Sequence, residues 1–281
     1  MTSEERPRRS ALYMPANNAR AVEKARGLAC DVVILDLEDA VAPEAKPAAR
    51  AAAVAAIRAG GFGARELAVR VNAIDSAWGP DDLAALGQVS PAAVVLPKVG
   101  EGAAVAAYSG RLPDVPLWAM IETPPAILRL DGIAAAPGIT ALVAGTNDLA
   151  KELHATPGVN RVPLHGALSS IVTAARAYGL VALDGVSNAL DDPAAFAAEC
   201  AQGAAFGFDG KTLIHPSQIA AANAAFGPDA EAVAWAERVV AAFAEPAAAG
   251  RGAIRLDGQM VERLHLSEAE RTLALAAAVA G

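Results

Sequence analysis

Two carboxylate residues that could hold a metal ion, Glu122 and Asp148, come at or just after the ends of two apolar segments, Pro116–Ile121 and Ile139–Ala144. A hard divalent cation is bound by such oxygens while other positions stay open for water and substrate. Either residue could instead cap a helix that begins at the same place. Their occurrence on neighbouring predicted strands favours a metal site.

A third charged side chain, Arg70, ends another apolar segment. A guanidinium is costly to bury there unless a carboxylate pairs with it. The partner could be a carboxylate substrate. It could instead be an internal residue such as Asp36 or Glu38, and Arg70 would then form a purely structural ion pair. Lys98, after the next apolar segment, either offsets the acidic residues or points to solvent.

These residues follow short apolar segments that alternate with Ala-rich helical stretches. Several segments are continuous hydrophobic runs, which is the pattern of parallel strands covered on both faces. Eight such units within about 225 residues predict an α/β fold, a (β/α)₈ TIM barrel, whose working residues lie at the carboxyl ends of the strands. The predicted strands are Ser10–Met14, Val32–Leu37, Leu67–Val71, Ala93–Pro97, Pro116–Ile121, Ile139–Ala144, Leu180–Asp184 and Lys211–Ile214.

We expect residues 1–225 to form the catalytic barrel and residues 226–281 a C-terminal helical extension, acting as a lid or in oligomerisation. The extension contains a predicted helix, Asp229–Ala244, followed after a Pro/Gly-containing break by the segment Ala253–Leu266. Ser267, with a glutamate three positions later, has the pattern of a capping box and predicts that the last helix begins there.

The composition excludes several classes of protein. The 281 residues carry a formal net charge of −8, which opposes the coating of nucleic acid. The polar N-terminus and the short, interrupted apolar runs give no signal peptide or membrane span, so we expect a cytoplasmic protein. Cys30 and Cys200 have no metal-binding or disulfide spacing and are expected to be packing residues.

Eight short motifs occur in order along the chain. They are Leu12-Tyr-Met-Pro15, Leu35-Asp-Leu-Glu-Asp-Ala-Val41, Arg70-Val-Asn72, Leu96-Pro-Lys98, Ile121-Glu-Thr123, Gly145-Thr-Asn-Asp-Leu149, Gly210-Lys-Thr-Leu-Ile-His-Pro216 and Asp257-Gly-Gln-Met-Val-Glu262. Each motif is weak alone. Together they make the chain resemble the citrate lyase β-subunit-like acyl-CoA lyases of the HpcH/HpaI aldolase family.

The resemblance implies a carbon–carbon lyase that cleaves or forms a 3-hydroxy-carboxyacyl-CoA such as malyl-CoA or citramalyl-CoA, with a 2-keto acid and an acyl-CoA as products. It implies Mg²⁺, or Mn²⁺, at Glu122 and Asp148, coenzyme A as part of the substrate, and a homo-oligomer, either a trimer or a hexamer. Arg70 would hold the oxygens of the reacting acid. The residues that would seat the substrate carboxylate are Gly145, Thr146 and Asn147.

The family's C-terminal motif usually ends in an Asp that acts as acid or base, often in a neighbouring subunit's site, and here that position is Glu262. The extra methylene moves the carboxyl by about 1 Å, which can change the rate or the choice of reaction. Thioester hydrolysis, as in a malyl-CoA thioesterase, is therefore the alternative reaction. If Glu262 is only a solvated residue at a helix start, the proton must come from elsewhere, with Asp36 and its acidic neighbours next.

Two other functions stay open on the sequence. One is a CoA-independent pyruvate-type aldolase, which CoA would not inhibit. The other is a non-catalytic subunit that only binds acyl thioesters, which would not bind metal.

Overall fold

The computed structural model describes residues 6–158 and 160–280. Eight parallel strands close into a barrel in sequence order, so the predicted TIM barrel is confirmed. Each strand begins and ends within one residue of its predicted limits. The strands are β1 (Ser10–Pro15), β2 (Val32–Asp36), β3 (Glu66–Arg70), β4 (Ala93–Leu96), β5 (Leu117–Ile121), β6 (Ile139–Ala144), β7 (Val181–Asp184) and β8 (Gly210–Leu213).

Helices follow the strands around the barrel. The α-helices of this part of the chain are α1 (Ala19–Ala25), α2 (Lys46–Ala59), α3 (Gly79–Leu86), α4 (Gly102–Ser109), α5 (Pro124–Leu128), α6 (Leu130–Ala134), α7 (Thr146–Glu152), α8 (His165–Ala177), α9 (Pro193–Phe206) and α10 (Ile219–Ala225). Short 3₁₀ helices occur at Pro43–Ala45, Val162–Leu164 and Pro216–Gln218. Cys30 and Cys200 are buried free thiols, as expected of packing residues.

The barrel interior is filled by side chains from alternate strand positions, because successive residues of a strand point to opposite faces. The buried members are Ala11, Val32, Ile34, Ala68, Ala93, Val95, Trp118, Met120, Ala141, Val143 and Leu183. At the amino-terminal end, Arg8 Nη2 donates to Glu66 Oε1 over 2.8 Å, and the Arg8 guanidinium lies 5.4 Å from the ring centre of Trp118. A buried ion pair therefore occupies the amino-terminal end of the barrel, and the working residues of this fold lie at the opposite, carboxyl-terminal end.

A second buried ion network joins β7 and β8 to the surrounding segments. Lys211 Nζ donates to Asp184 Oδ2 over 2.8 Å and to Glu199 Oε1 over 2.7 Å. Arg161 Nη1 donates to Asp184 Oδ1, also over 2.8 Å. Lys211 and Asp184 are fully buried, and their charges are balanced within the network.

The described residues divide into two compact units, one spanning residues 8–223 and the other built mainly from residues 224–280. The second unit contains α11 (Ala230–Ala244), a 3₁₀ turn (Pro246–Ala248), an antiparallel hairpin of β9 (Ala253–Leu256) and β10 (Gln259–Glu262), and α12 (Arg263–Ala280). Its own core contains Ala236, Val239, Val261 and Ala269.

The predicted capping box in this unit is wrong. Helix α12 begins at Arg263, so Ser267 lies inside the helix. The preceding chain forms the hairpin because Asp257 and Gly258 both have positive φ, 50° and 82°, as an Asp-Gly pair in a tight hairpin turn requires. In the part of the chain that the structure describes, no helix is long and apolar enough to cross a membrane.

Candidate active site

Arg70 and Asp36 form a bidentate ion pair at the carboxyl ends of β3 and β2, where the two residues are register partners. Arg70 Nε donates to Asp36 Oδ1 over 2.7 Å, and Nη2 donates to Oδ2 over 2.6 Å. The internal ion pair considered from the sequence therefore exists. The ion pair with Asp36 occupies Nε–H and one N–H of Nη2. The two N–H groups of Nη1 and the second N–H of Nη2 are left for other partners.

Asp36 is fully buried, and its oxygens also accept the backbone N–H groups of Glu38 (2.9 Å) and Ala40 (3.0 Å). Its carboxylate thus orders the turn that follows β2 and fixes Arg70. A carboxylate enclosed in this way positions Arg70, and the direct role of Asp36 in catalysis stays a prediction.

The Nη1 side of Arg70 also lies next to acidic side chains. Its Nη1 lies 2.9 Å from Glu38 Oε2 and 3.5 Å from Asp39 Oδ2, and its guanidinium lies 4.8 Å from the ring centre of Tyr13. Burial by itself would lower the pKa of Arg70, but the hydrogen bonds to Asp36 and the surrounding negative charge outweigh it and raise the pKa above its usual range. The guanidinium therefore stays cationic.

Glu122 follows β5 and is almost fully buried. Its Oε1 accepts the backbone N–H of Lys98 over 2.6 Å. Burial raises the pKa of the carboxyl to about 7, against the opposing effect of this hydrogen bond. Thr123, not Glu122, caps helix α5 through a bond from Ala126 N to its Oγ1, so the capping alternative for Glu122 is wrong.

Gly145 makes room for the Glu122 side chain. A Cβ atom at position 145 would lie 2.3 Å from Glu122 Cβ and 2.7 Å from Glu122 Oε2. Only glycine fits there. The N–H of Gly145 donates to the carbonyl of Ile121 over 3.0 Å, and the contact of Gly145 with a substrate carboxylate stays a prediction.

Lys98 links the acidic side chains. Its Nζ donates to Glu38 Oε1 over 3.1 Å and lies 3.5 Å from Asp148 Oδ2. Lys98 has a positive φ of 52°, which is uncommon for a residue with a side chain and is often found at functional sites. Of the two alternatives considered for Lys98, the one in which it offsets the acidic cluster is confirmed.

Asp148 lies in the first turn of α7, directly after the two other residues expected to contact substrate. Thr146 Oγ1 donates to the carbonyl of Val186 over 3.3 Å. Asn147 and Asn188 exchange hydrogen bonds between their side-chain amides, with Asn188 Nδ2 3.0 Å from Asn147 Oδ1. Asn188, in the segment after β7, is a polar neighbour of the site that the sequence motifs did not indicate.

The donor set suits a hard cation of small size. Glu122 and Asp148 offer only carboxylate oxygens, and each lies within 4 Å of an atom of Lys98. Among the residues described, no group of three or more His, Cys, Asp or Glu side chains surrounds a common point. Mg²⁺ does not require one, because it usually keeps several waters and uses one or two carboxylates. The residues therefore fit Mg²⁺.

Glu262, the expected acid or base, is the last residue of β10 in the second unit and is half-buried. Its backbone N–H donates to His265 Nδ1 over 2.9 Å. Its role in the reaction stays a prediction.

A (β/α)₈ barrel with charged side chains gathered at the carboxyl ends of its strands has the architecture of a barrel enzyme. Residues 9–216 match the HpcH/HpaI aldolase/citrate lyase family. The chain belongs to this family, as its motifs indicated.

Relatives cover almost the whole chain. It is 45% identical over 280 residues to a (3S)-malyl-CoA thioesterase of Cereibacter sphaeroides strain KD131, covering 100% of this chain and 98% of the relative. It is 33% identical over 294 residues to the human mitochondrial citramalyl-CoA lyase, covering 97% and 86%. A crystal structure of CitE from Mycobacterium tuberculosis with magnesium, acetoacetate and coenzyme A is similar at a TM-score of 0.78 and 35% identity, covering 95% and 97%.

Proposed function

We propose that the protein binds a 3-hydroxy-carboxyacyl-CoA ester of the malyl-CoA type together with Mg²⁺, and hydrolyses its thioester to the free acid and CoA. The observation that carries the binding part is the juxtaposition of a cationic Arg70 with the carboxylates of Glu122 and Asp148 through Glu38 and Lys98. Hydrolysis is favoured by the 45% identity to a thioesterase over the full length.

In this proposal Glu122 and Asp148 hold the ion, and Mg²⁺ when bound supplies positive charge to the hydroxyl and carboxylate oxygens of the substrate. Arg70 donates its remaining N–H groups to the acid oxygens, while Asp36 prevents the guanidinium from turning away. The buried carboxylate of Glu122 is held by Lys98 N, which keeps one oxygen in a fixed direction. These residues bind and orient the acid part of the substrate next to the thioester.

Hydrolysis requires a water that attacks the thioester carbonyl and a proton for the departing thiolate. We assign the proton transfer to Glu262, whose side chain is one methylene longer than the Asp usual at this position in the family. The same binding residues would serve the second candidate, carbon–carbon cleavage to a 2-keto acid and a thioester enolate that an acid protonates. Family membership and the 33% identity to a citramalyl-CoA lyase favour that candidate.

The test is to incubate the protein and Mg²⁺ with malyl-, methylmalyl- and citramalyl-CoA, and to assay free thiol and keto acid separately. Thiol without keto acid is the expected result. Keto acid without thiol would establish the lyase, and neither product from any ester would overturn both proposals. The Asp148→Asn variant and a chelator are the controls, and both should abolish product release.

We further propose that the protein is a homo-oligomer, a trimer or a hexamer, to which residues 226–281 contribute. Light scattering coupled to size-exclusion chromatography measures the mass directly. A monomer at assay concentrations would contradict this proposal without affecting the assignment of the metal ligands.

A further inference from the structure

A buried lysine holds the turn that follows β2. Lys46 is the first residue of α2 and is only 6% exposed. Its Nζ donates to two consecutive backbone carbonyls, those of Leu37 (3.0 Å) and Glu38 (2.9 Å). A third bond goes to Asn72 Oδ1 over 2.6 Å. An ammonium group has three N–H donors, so all of them are in use.

The network continues outward from Asn72 and fixes it in turn. Asn72 Nδ2 donates to the Leu37 carbonyl (2.9 Å) and to Asp82 Oδ2 (2.7 Å). Asp82 is fully buried, and its other oxygen accepts from Arg50 Nε over 2.7 Å. Asp82 and Arg50 therefore balance each other, while Lys46 is bound by neutral oxygens.

Burial of the Lys46 ammonium at a helix start is energetically unfavourable, so its hydrogen bonds must offset that cost. A buried cation without a paired carboxylate is unfavourable, and a positive charge in the first turn of a helix opposes the helix dipole. The ring of Trp78, 5.0 Å from Nζ, gives partial compensation. A neutral side chain such as Met would fill the same space without these penalties, but could not bind two carbonyls.

Holding these carbonyls orders the turn on its other side. The N–H groups of Glu38 and Ala40 donate to the two oxygens of Asp36, which in turn binds Arg70 through Nε and Nη2. Lys46 thus holds carbonyl groups of residues 37–40, and Asp36 holds N–H groups of the same turn.

We propose that Lys46 is a positioning residue, which fixes the Asp36–Arg70 pair through the turn of residues 37–40. It sets the direction in which Arg70 presents its remaining N–H groups. The consequence for substrate affinity rests on the proposed function of Arg70, but the geometric effect does not.

The Lys46→Met variant of the full chain tests the inference, with Lys211→Met as the matched control. Lys211 is also a buried ammonium, but its partners are the carboxylates of Asp184 and Glu199. Both variants should lower the melting temperature. In Lys46→Met alone, hydrogen exchange in the peptide covering residues 36–41 and at the Arg70 Nε–H should become at least tenfold faster. Unchanged exchange at these groups, or an equal change in Lys211→Met, overturns the inference.

Two further measurements complete the test. If Lys46→Met does not fold, Lys46→Gln, which replaces the ammonium by a shorter neutral donor, should raise the same exchange rates to a smaller extent, and no rise would overturn the inference. Binding of oxalate in the presence of Mg²⁺ tests the proposed function separately. Oxalate affinity that is unchanged in Arg70→Lys would refute the role of Arg70 in binding the acid, whatever the exchange results.

Discussion

Replacing Gly145 by alanine should disable the metal site through a single methyl group. The backbone at Gly145 has φ of −96°, which alanine adopts without strain, so the effect is entirely steric. The new Cβ would lie 2.3 Å from Glu122 Cβ and 3.3 Å from Glu122 Cα. Apolar carbons normally stay about 3.5–4.0 Å apart. The Glu122 side chain must therefore move by at least about 1 Å.

Two costs follow from this displacement. Overpacking of a buried position typically destabilises a protein by about 1–3 kcal/mol. Mg²⁺ requires near-octahedral oxygen ligands at about 2.0–2.1 Å, so moving Glu122 by half that length removes it from the ligand set. Disturbing even the groups around metal ligands typically costs about 10–100-fold in affinity, and we expect a loss of at least that size for Mg²⁺.

Isothermal titration of Mg²⁺ and urea unfolding measure the two effects. The matched control is Gly166→Ala in α8, where an added Cβ meets nothing within 4 Å, and which should bind Mg²⁺ normally and be as stable or more stable. The reasoning is refuted if Gly145→Ala binds Mg²⁺ as tightly as the unaltered protein. If it loses stability but keeps Mg²⁺ affinity, Glu122 is not a metal ligand.

Three further predictions concern charged residues. Arg70→Lys cannot form the bidentate pair with Asp36, and the resulting misplacement should reduce turnover about 10²-fold. Burial alone would raise the pKa of Asp184, but the positive charges of Lys211 and Arg161 lower it. Asp184 therefore contributes stability above pH 3.8, its usual pKa, and loses it as the pH falls through the depressed value. Asp184→Asn should cost about 3–5 kcal/mol at pH 7 and progressively less below the usual pKa. Glu262→Gln should lower turnover about 10²-fold with little change in KM, and Glu262→Asp should shift products from thiol toward keto acid.

Each of these has an outcome that would contradict it. Near-normal turnover of Arg70→Lys, with a loss only of thermal stability, would make the ion pair purely structural. A stability difference for Asp184→Asn that is the same at pH 7 and pH 3 would show that charge is not the cause. Unchanged thiol and keto-acid release in Glu262→Gln would remove Glu262 from the reaction.

The barrel was predictable because its strands are continuous runs of buried apolar residues. The hairpin of the second unit was not, because β9 and β10 are largely exposed and lack such a run. The Asp257-Gly258 pair was the sequence feature that most clearly indicated a hairpin turn. The capping-box pattern of Ser267 and Glu270 pointed instead to a helix start at Ser267. Local capping patterns occur inside helices as well as at their starts, and here the hairpin, not Ser267, determines where α12 begins.

In the site, the residue types were predictable and their partners were not. Arg70 at the end of an apolar strand required a carboxylate, but only the register of β2 and β3 identifies Asp36 as its partner. The demand for glycine at position 145 comes from Glu122, 23 residues away in sequence, so no local pattern reveals it. Lys46 gave one signal, a positive charge at a helix start.

The buried ion network of β7 and β8 lies where neighbouring strands of the barrel share the fewest register pairs. These strands share two register pairs, Leu183 with Gly210 and Asp184 with Lys211, whereas β1 and β2 share five. The ring closes only when β8 also meets β1, where Ser10 pairs with Lys211, and contacts between such distant parts of a chain form slowly. Lys211 therefore takes part in both closing contacts. Local unfolding of the barrel should begin between β7 and β8, and the strength of the Lys211 ion pairs should determine how often it occurs.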